Sequence, residues 1–328
     1  MKLGTSALRM ALAAVLSAGL SLPALADEKI ELTFSTANGE NTPVAIAMKD
    51  IFDEKVSDYF DFKPYWFSSL VKQGADLVAL QRGNIQMAFM PIPELASQVP
   101  EFGILGAAYV VRDREHLASI WESDVGDELK QLASDRMGIH LIQPYYYGTR
   151  QVNLRGDKRI TTPEDMRGIK LRMPGGDAWQ FLGKAIGANP IPIAYNELYT
   201  ALQTGVIDGQ ENPLPNDKAA KLYEVTDQIV LTGHYTAFSI LAVSDEFWDS
   251  LTEDQQRVLE TATRETFAVS DLDYATQEVE LIDFFKAEGL EVYTPDVAAF
   301  QAYAQKLYLE SEFSDSWIDG MLDRINAL

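Results

Sequence analysis

Arg150 and Arg172 are the residues through which this sequence could most readily do chemistry. A guanidinium offers a planar fork that matches a carboxylate bidentately, and it stays charged at any environmental pH. Burying an anionic solute without such a partner would cost several kcal/mol. Asn212 could donate its side-chain amide to the same group, and Tyr195 could supply an aromatic wall. Asn38 follows a strand and is a candidate contact as well as a turn former. Trp179, on the first turn of a helix, suits core and pocket equally. Arg155, Arg159 and Arg167 read instead as solvated charges of loops and helix ends. Covalent and metal chemistry find less support. The chain has no G-x-S-x-G, P-loop, G-x-G-x-x-G or H-E-x-x-H motif, and His116, His140 and His234 have no ligand spacing. Asp208 and Glu211 could imitate a hydrolase pair, although Asp208 before Gly209 reads better as a turn former. Binding is therefore favoured over turnover, with no cofactor and no metal expected.

The elements that must position these side chains lie between Gly168 and Pro213. Lys170-Leu-Arg-Met173 alternates polar and apolar residues and stops at Pro174, the pattern of a short strand. Asp177 reads as the N-cap of a helix to Ile186, closed by Gly187. A second strand over Asn189–Ile193 follows, then a helix capped by Asn196 and ended by Gly205, then a third strand starting at Val206. Alternating strands and helices imply βαβ units and a largely parallel sheet. In such sheets ligands lie beyond the carboxyl ends of the strands. Arg172, at a carboxyl end, should face a crevice; Lys170 should not. Further strands are expected over Ile30–Thr36, Phe62–Phe67, Ile85–Met90, Ile139–Tyr147, Gln228–Thr232 and Ile240–Val243, which sets Asn38 and Arg150 just past strand ends. A long amphipathic helix is expected within Leu251–Leu290.

KLRMP at 170–174, ELYTALQTGVIDGQENP at 197–213 and GTRQ at 148–151 resemble the substrate-binding proteins of TRAP (tripartite ATP-independent periplasmic) transporters, over essentially the whole chain after residue 26. The resemblance implies an α/β, two-lobed periplasmic binding protein (a Venus flytrap) with a long helix spanning both lobes. It also implies that Arg172, the arginine of the K-[IL]-R-x-P segment, clamps the solute carboxylate, with Arg150 as its helper. Relatives that bind sialic acid hold the sugar's tail with charged residues in the loop matching Lys72-Gln73-Gly74. Lys72 and Gln73 are thus candidate contacts, and Gly74 points to a smaller solute. The TRAP membrane permease subunits are the implied partner.

Residues 1–26 read as a secretory signal peptide, with Lys2 and Arg9, an apolar run over Met10–Leu22 and Ala24-Leu25-Ala26 as the cleavage site. The apolar run is shorter than the ~20 residues a spanning helix needs. The absence of cysteine argues against a lipid anchor and against any disulfide. After Ala26 the chain carries 25 cations against 49 acids, a net charge of −24. That balance argues against nucleic acid and anionic lipid as partners. A local pair of arginines in a low-dielectric cleft still outweighs distant, screened surface charge. The expected division is residues 27–147 plus 238–277 for lobe I and 148–237 plus 278–328 for lobe II, in a periplasmic monomer. Two functions from different classes follow: capture of a small organic anion, such as a sugar acid, for a secondary-transport permease, or a secreted enzyme acting on a small organic acid.

Overall fold

The computed structural model describes residues 29–328; the expected signal peptide lies outside the described residues, apart from which the chain folds into an α/β structure built on nine strands. They are β1 (Ile30–Ser35), β2 (Phe60–Tyr65), β3 (Met87–Pro91), β4 (Ile139–Leu154), β5 (Lys170–Met173), β6 (Asn189–Pro192), β7 (Gly209–Pro213), β8 (Gln228–Ser244) and β9 (Glu291–Tyr293). The hydrogen-bonded order is β2-β1-β3-β8-β4-β7-β5-β6, with β9 beside β8. β1, β2 and β3 are mutually parallel, as are β5, β6 and β7. Each parallel set joins antiparallel to the central pair β4–β8.

That central pair corrects the sequence reading. β4 does not stop at Tyr147, and the two strands expected near Gln228 and Ile240 are one strand of 17 residues. Gly148 (φ 110°) and Gly233 (φ 55°) look like breakers in the sequence, but their left-handed backbone is absorbed within the strands. The β4–β8 register shifts between Tyr146 and Gly148, where Gly148 pairs Ala237, and again between Arg150 and Val152. The two lobes are therefore not separated by a gap in hydrogen bonding; they share β4 and β8.

The long helix, Glu253–Ala287, opens with a Thr252–Gln255 capping box and spans roughly 50 Å. Leu259, Ala262, Thr266, Phe267, Ser270 and Tyr274 recur at helical spacing and are buried. Its first half packs on the Pro43–Val56 helices, and its second half on the helix Leu214–Ala219 through Leu281 and Phe285. Between them it grips the β4 bend. Asp271 Oδ1 accepts from Tyr146 N (3.1 Å), while Glu278 accepts from Thr149 N and Tyr146 Oη.

Two caps differ from expectation. Gly176, at φ 103°, takes the N-cap position, and Asp177 is the first residue of the helix Asp177–Ala185. Asn196 lies within a 3-10 turn, so the helix Leu198–Thr204 starts after Glu197 with no side-chain cap.

Candidate functional site

The carboxyl ends of β1, β3, β5 and β7 converge on one cavity, as parallel strands flanking a shared pair require. Its cavity volume is about 60 Å³, with further space open to solvent. Of the eight sequence candidates, Arg172, Arg150, Asn212, Tyr195, Asn38, Gln73 and Trp179 line it. Lys72 does not: its side chain is exposed on the loop, and the residue after it, Gln73, is the one that turns inward.

The two arginines are in different electrostatic situations. Arg172 is 1% exposed, with Nε donating to Ile193 O (2.7 Å) and Nη2 to Gln73 Oε1 (3.3 Å). No carboxylate pairs with it among the described residues. Burial, and then the nearby charge of Arg150, push its pKa down to about 10, with Glu211 and Tyr195 opposing in part. Tyr195 lies under the guanidinium, 5.7 Å from carbon to ring centroid. Arg150 is instead neutralised. It sits inside β4 rather than past its end, opposite Pro213 of β7. Its Nε and Nη2 form a fork onto the Glu211 carboxylate, and Nη2 also donates to Glu211 O (2.7 Å). Burial opposes the charge on Arg150, yet the carboxylate beside it prevails and the pKa is raised. On Glu211, burial is outweighed by the Arg150 charge and the His234 hydrogen bond, which hold its pKa below the ordinary value. His234 Nε2 lies 3.2 Å from Glu211 Oε2, and its Nδ1 lies 2.8 Å from Thr232 Oγ1. The inter-strand salt bridge between β4 and β7 is thus made by Arg150, not by Arg172.

Around this pair the donors converge. Trp179 is 3% exposed, stands 5.1 Å from the Arg150 guanidinium, and has no partner for its indole N–H among the described residues. Asn212 donates one amide hydrogen to Gln210 Oε1 beneath it. Asn38 reaches across from β1 and donates to Tyr145 Oη (2.8 Å). Gln73 joins the two walls: its Oε1 accepts both from Tyr195 N (2.8 Å) and from Arg172.

Sequence reasoning missed Glu211 as a partner, and missed Asp76, Glu94, Tyr147, Asn216 and Ser239 in the lining. Asp76 and Glu94 are acids on the first turns of the helices Asp76–Gln81 and Ile92–Ala96, positions that by themselves read as dipole complements. Asp208 lies in the bend before β7 and accepts from Lys170 N of β5 (2.8 Å), a contact between neighbouring strands. Among the described residues no group of three or more His, Cys, Asp or Glu could hold a metal, and no helix is long and apolar enough to cross a membrane.

With this geometry in place, known proteins provide the comparison. The profile of bacterial extracellular solute-binding protein family 7 (DctP) matches residues 34–315. The chain belongs to that family. It is 29% identical over 295 residues to the sialic acid-binding periplasmic protein SiaP of Vibrio cholerae, covering 90% of this chain and 91% of that protein. It is 31% identical over 262 residues to the C4-dicarboxylate-binding periplasmic protein DctP of Rhodobacter capsulatus, covering 77% and 76% respectively. A TRAP periplasmic solute-binding protein of Roseobacter denitrificans, crystallised with bound 3-deoxy-D-manno-oct-2-ulosonic acid, superimposes with a TM-score of 0.90 at 42% identity, covering 92% of this chain and 99% of that one. The two-lobed fold and the TRAP solute-binding role expected from the motifs are those of this family.

Proposed function

We propose that this family 7 protein captures a small organic anion, of sugar-acid type, in the cleft, with Arg172 as the clamp for its carboxylate. One observation carries the reading: Arg172 is a buried guanidinium facing the cavity without a carboxylate partner among the described residues, while Arg150, beside it, is fully neutralised by Glu211. A buried charge of this kind is destabilising until an anion arrives, so a carboxylate is the group that relieves it. Arg150 then acts as a helper by fixing the field and orientation around the clamp. Trp179, Asn212, Tyr195, Asn38 and Gln73 complete the contacts. The sugar acid held by the Roseobacter denitrificans relative supports the solute class.

The proposed lobes are residues 27–147 plus 238–277 and 148–237 plus 278–328, hinged where Gly148 pairs Ala237. Asn38 and Gln73 come from the first lobe and the arginines from the second, so solute held by both favours the closed form. Closure is the state a TRAP permease would read before taking the anion. In this reading the protein is a periplasmic monomer, freed by cleavage after Ala26, and it binds without turnover. Purified protein should release its solute chemically unchanged at one molecule per chain, as read by mass spectrometry after denaturation. A secreted enzyme acting on the same acid would instead convert it in molar excess over protein, which would overturn the reading.

A further inference from the structure

The cavity has a second end. Asp76 and Glu94 line the same space as Arg172, yet neither forms an ion pair with either arginine. Asp76 is 4% exposed and receives one side-chain hydrogen bond, from Ser35 Oγ to Oδ1 (3.1 Å). Among the described residues no side chain donates to Glu94, which is half-buried on the first turn after β3. Asn216, 6% exposed and lining the cavity beside Tyr195, has a buried amide oxygen with no partner among the described residues. A buried polar group in a native protein is satisfied by something, so the Asn216 oxygen calls for a donor, and the Asp76 and Glu94 carboxyls offer further acceptors to whatever fills the cavity.

We infer that Asp76 and Glu94 form a subsite that receives the hydroxyl groups of the solute at the end remote from its carboxylate. The inference rests on the reading of Arg172 as the carboxylate clamp. It makes the cleft bipolar, with guanidinium and indole N–H at one end and unpaired acceptors at the other. A dicarboxylate fits poorly, because its second charge would meet two acids with no cation between them. Hydroxyls satisfy the acids without bringing charge. Burial supports hydroxyls over an ammonium group: it raises Asp76 to about 6 and, with help from Asp76, Glu94 to about 8. Near neutral pH the two carboxyls thus tend to retain a proton, and a half-protonated pair both accepts and donates, as a diol does.

The test is calorimetric titration with hydroxylated monoacids of six to eight carbons (D-gluconate, D-galactonate, an octulosonate), dicarboxylates (succinate, glutarate), ω-amino acids (4-aminobutyrate, 6-aminohexanoate) and hexanoate. Wild-type protein should bind a hydroxylated monoacid at least about 100-fold more tightly than any dicarboxylate or ω-amino acid. Asp76→Asn and Glu94→Gln, which preserve shape, should each weaken that monoacid about tenfold or more, while leaving hexanoate unchanged. A dicarboxylate or ω-amino acid as the tightest ligand would overturn the subsite. So would a hydroxylated-acid to hexanoate ratio that survives both substitutions while Arg172→Ala abolishes binding; in that case the clamp stands and only the subsite falls. If no acid in the panel binds wild-type protein, the anion reading falls and takes the subsite with it.

Discussion

Replacing Arg172 by methionine should make the solute-free protein more stable, whereas the same change at Arg150 should make it much less so. The folded pKa of Arg172, about 10 against an ordinary 12.5, means its charged form is disfavoured in the fold at every pH below about 10. At 1.36 kcal/mol per pH unit this is a penalty of roughly 3 kcal/mol at pH 7, relieved only as pH rises from about 10 towards 12.5. Methionine removes that penalty but also the hydrogen bonds to Ile193 O and Gln73, each worth about 1 kcal/mol. The net gain is about 1 kcal/mol, or roughly 2–4 °C in Tm. Arg150→Met instead strands the Glu211 carboxylate, which is 0% exposed, with only His234 for company. Breaking a buried pair from one side costs about 3–5 kcal/mol, so Tm should fall by roughly 6–20 °C. Scanning calorimetry on protein stripped of solute by unfolding and refolding reads both. If Arg172→Met lowers Tm as far as Arg150→Met does, Arg172 is a structural strut and the reasoning fails.

Gly148→Ala should destabilise by about 1–3 kcal/mol, because φ is 110° there and a Cβ would lie 2.7 Å from Pro213 Cβ and 3.3 Å from the Glu278 carboxylate; an unchanged urea midpoint would contradict this. Asp271, lifted by burial to about 7 against the backbone hydrogen bond from Tyr146, binds its proton more tightly folded than unfolded. Its contribution is therefore most favourable at low pH and is lost as pH rises from about 4 to 7. Asp271→Asn keeps the acceptor, so it should gain about 1–2 kcal/mol over wild type between pH 5 and pH 8, and identical pH dependence of the two urea midpoints would refute the assignment. Solute at saturation should compact the wild-type protein in small-angle scattering, and Gln73→Ala, which removes the bridge from Arg172 to Tyr195 N, should weaken both compaction and affinity by about tenfold.

Arg172 was legible in the sequence because its position follows from local rules. Lys170–Met173 alternates, Pro174 ends the strand, and three residues decide which side chain reaches the carboxyl end. The same rules misplaced Arg150. The strand end expected after Tyr147 does not exist, because pairing with β8, about ninety residues away, carries β4 through Gly148 to Leu154. No local pattern reveals that Glu211 would claim the Arg150 fork, since the contact depends on β4 and β7 being sheet neighbours. Lys72 was misassigned for a related reason: a loop has no fixed periodicity, so the sequence marks the loop but not which of two adjacent side chains, Lys72 or Gln73, turns in. Asp76 and Glu94 were invisible because an acid in a first helical turn is ordinary; only the meeting of two helices at one cavity makes the pair unusual.

The central claim, that Arg172 clamps the anion, is tested most directly by calorimetric titration of an organic acid into wild-type, Arg172→Lys and Arg172→Ala proteins, each shown by melting to be folded. The account predicts a loss for Arg172→Ala of about 2–5 kcal/mol, roughly 30-fold to several-thousand-fold in Kd, with Arg172→Lys intermediate because it keeps the charge but not the fork. A folded Arg172→Ala protein that binds the acid within about threefold of wild type would contradict it.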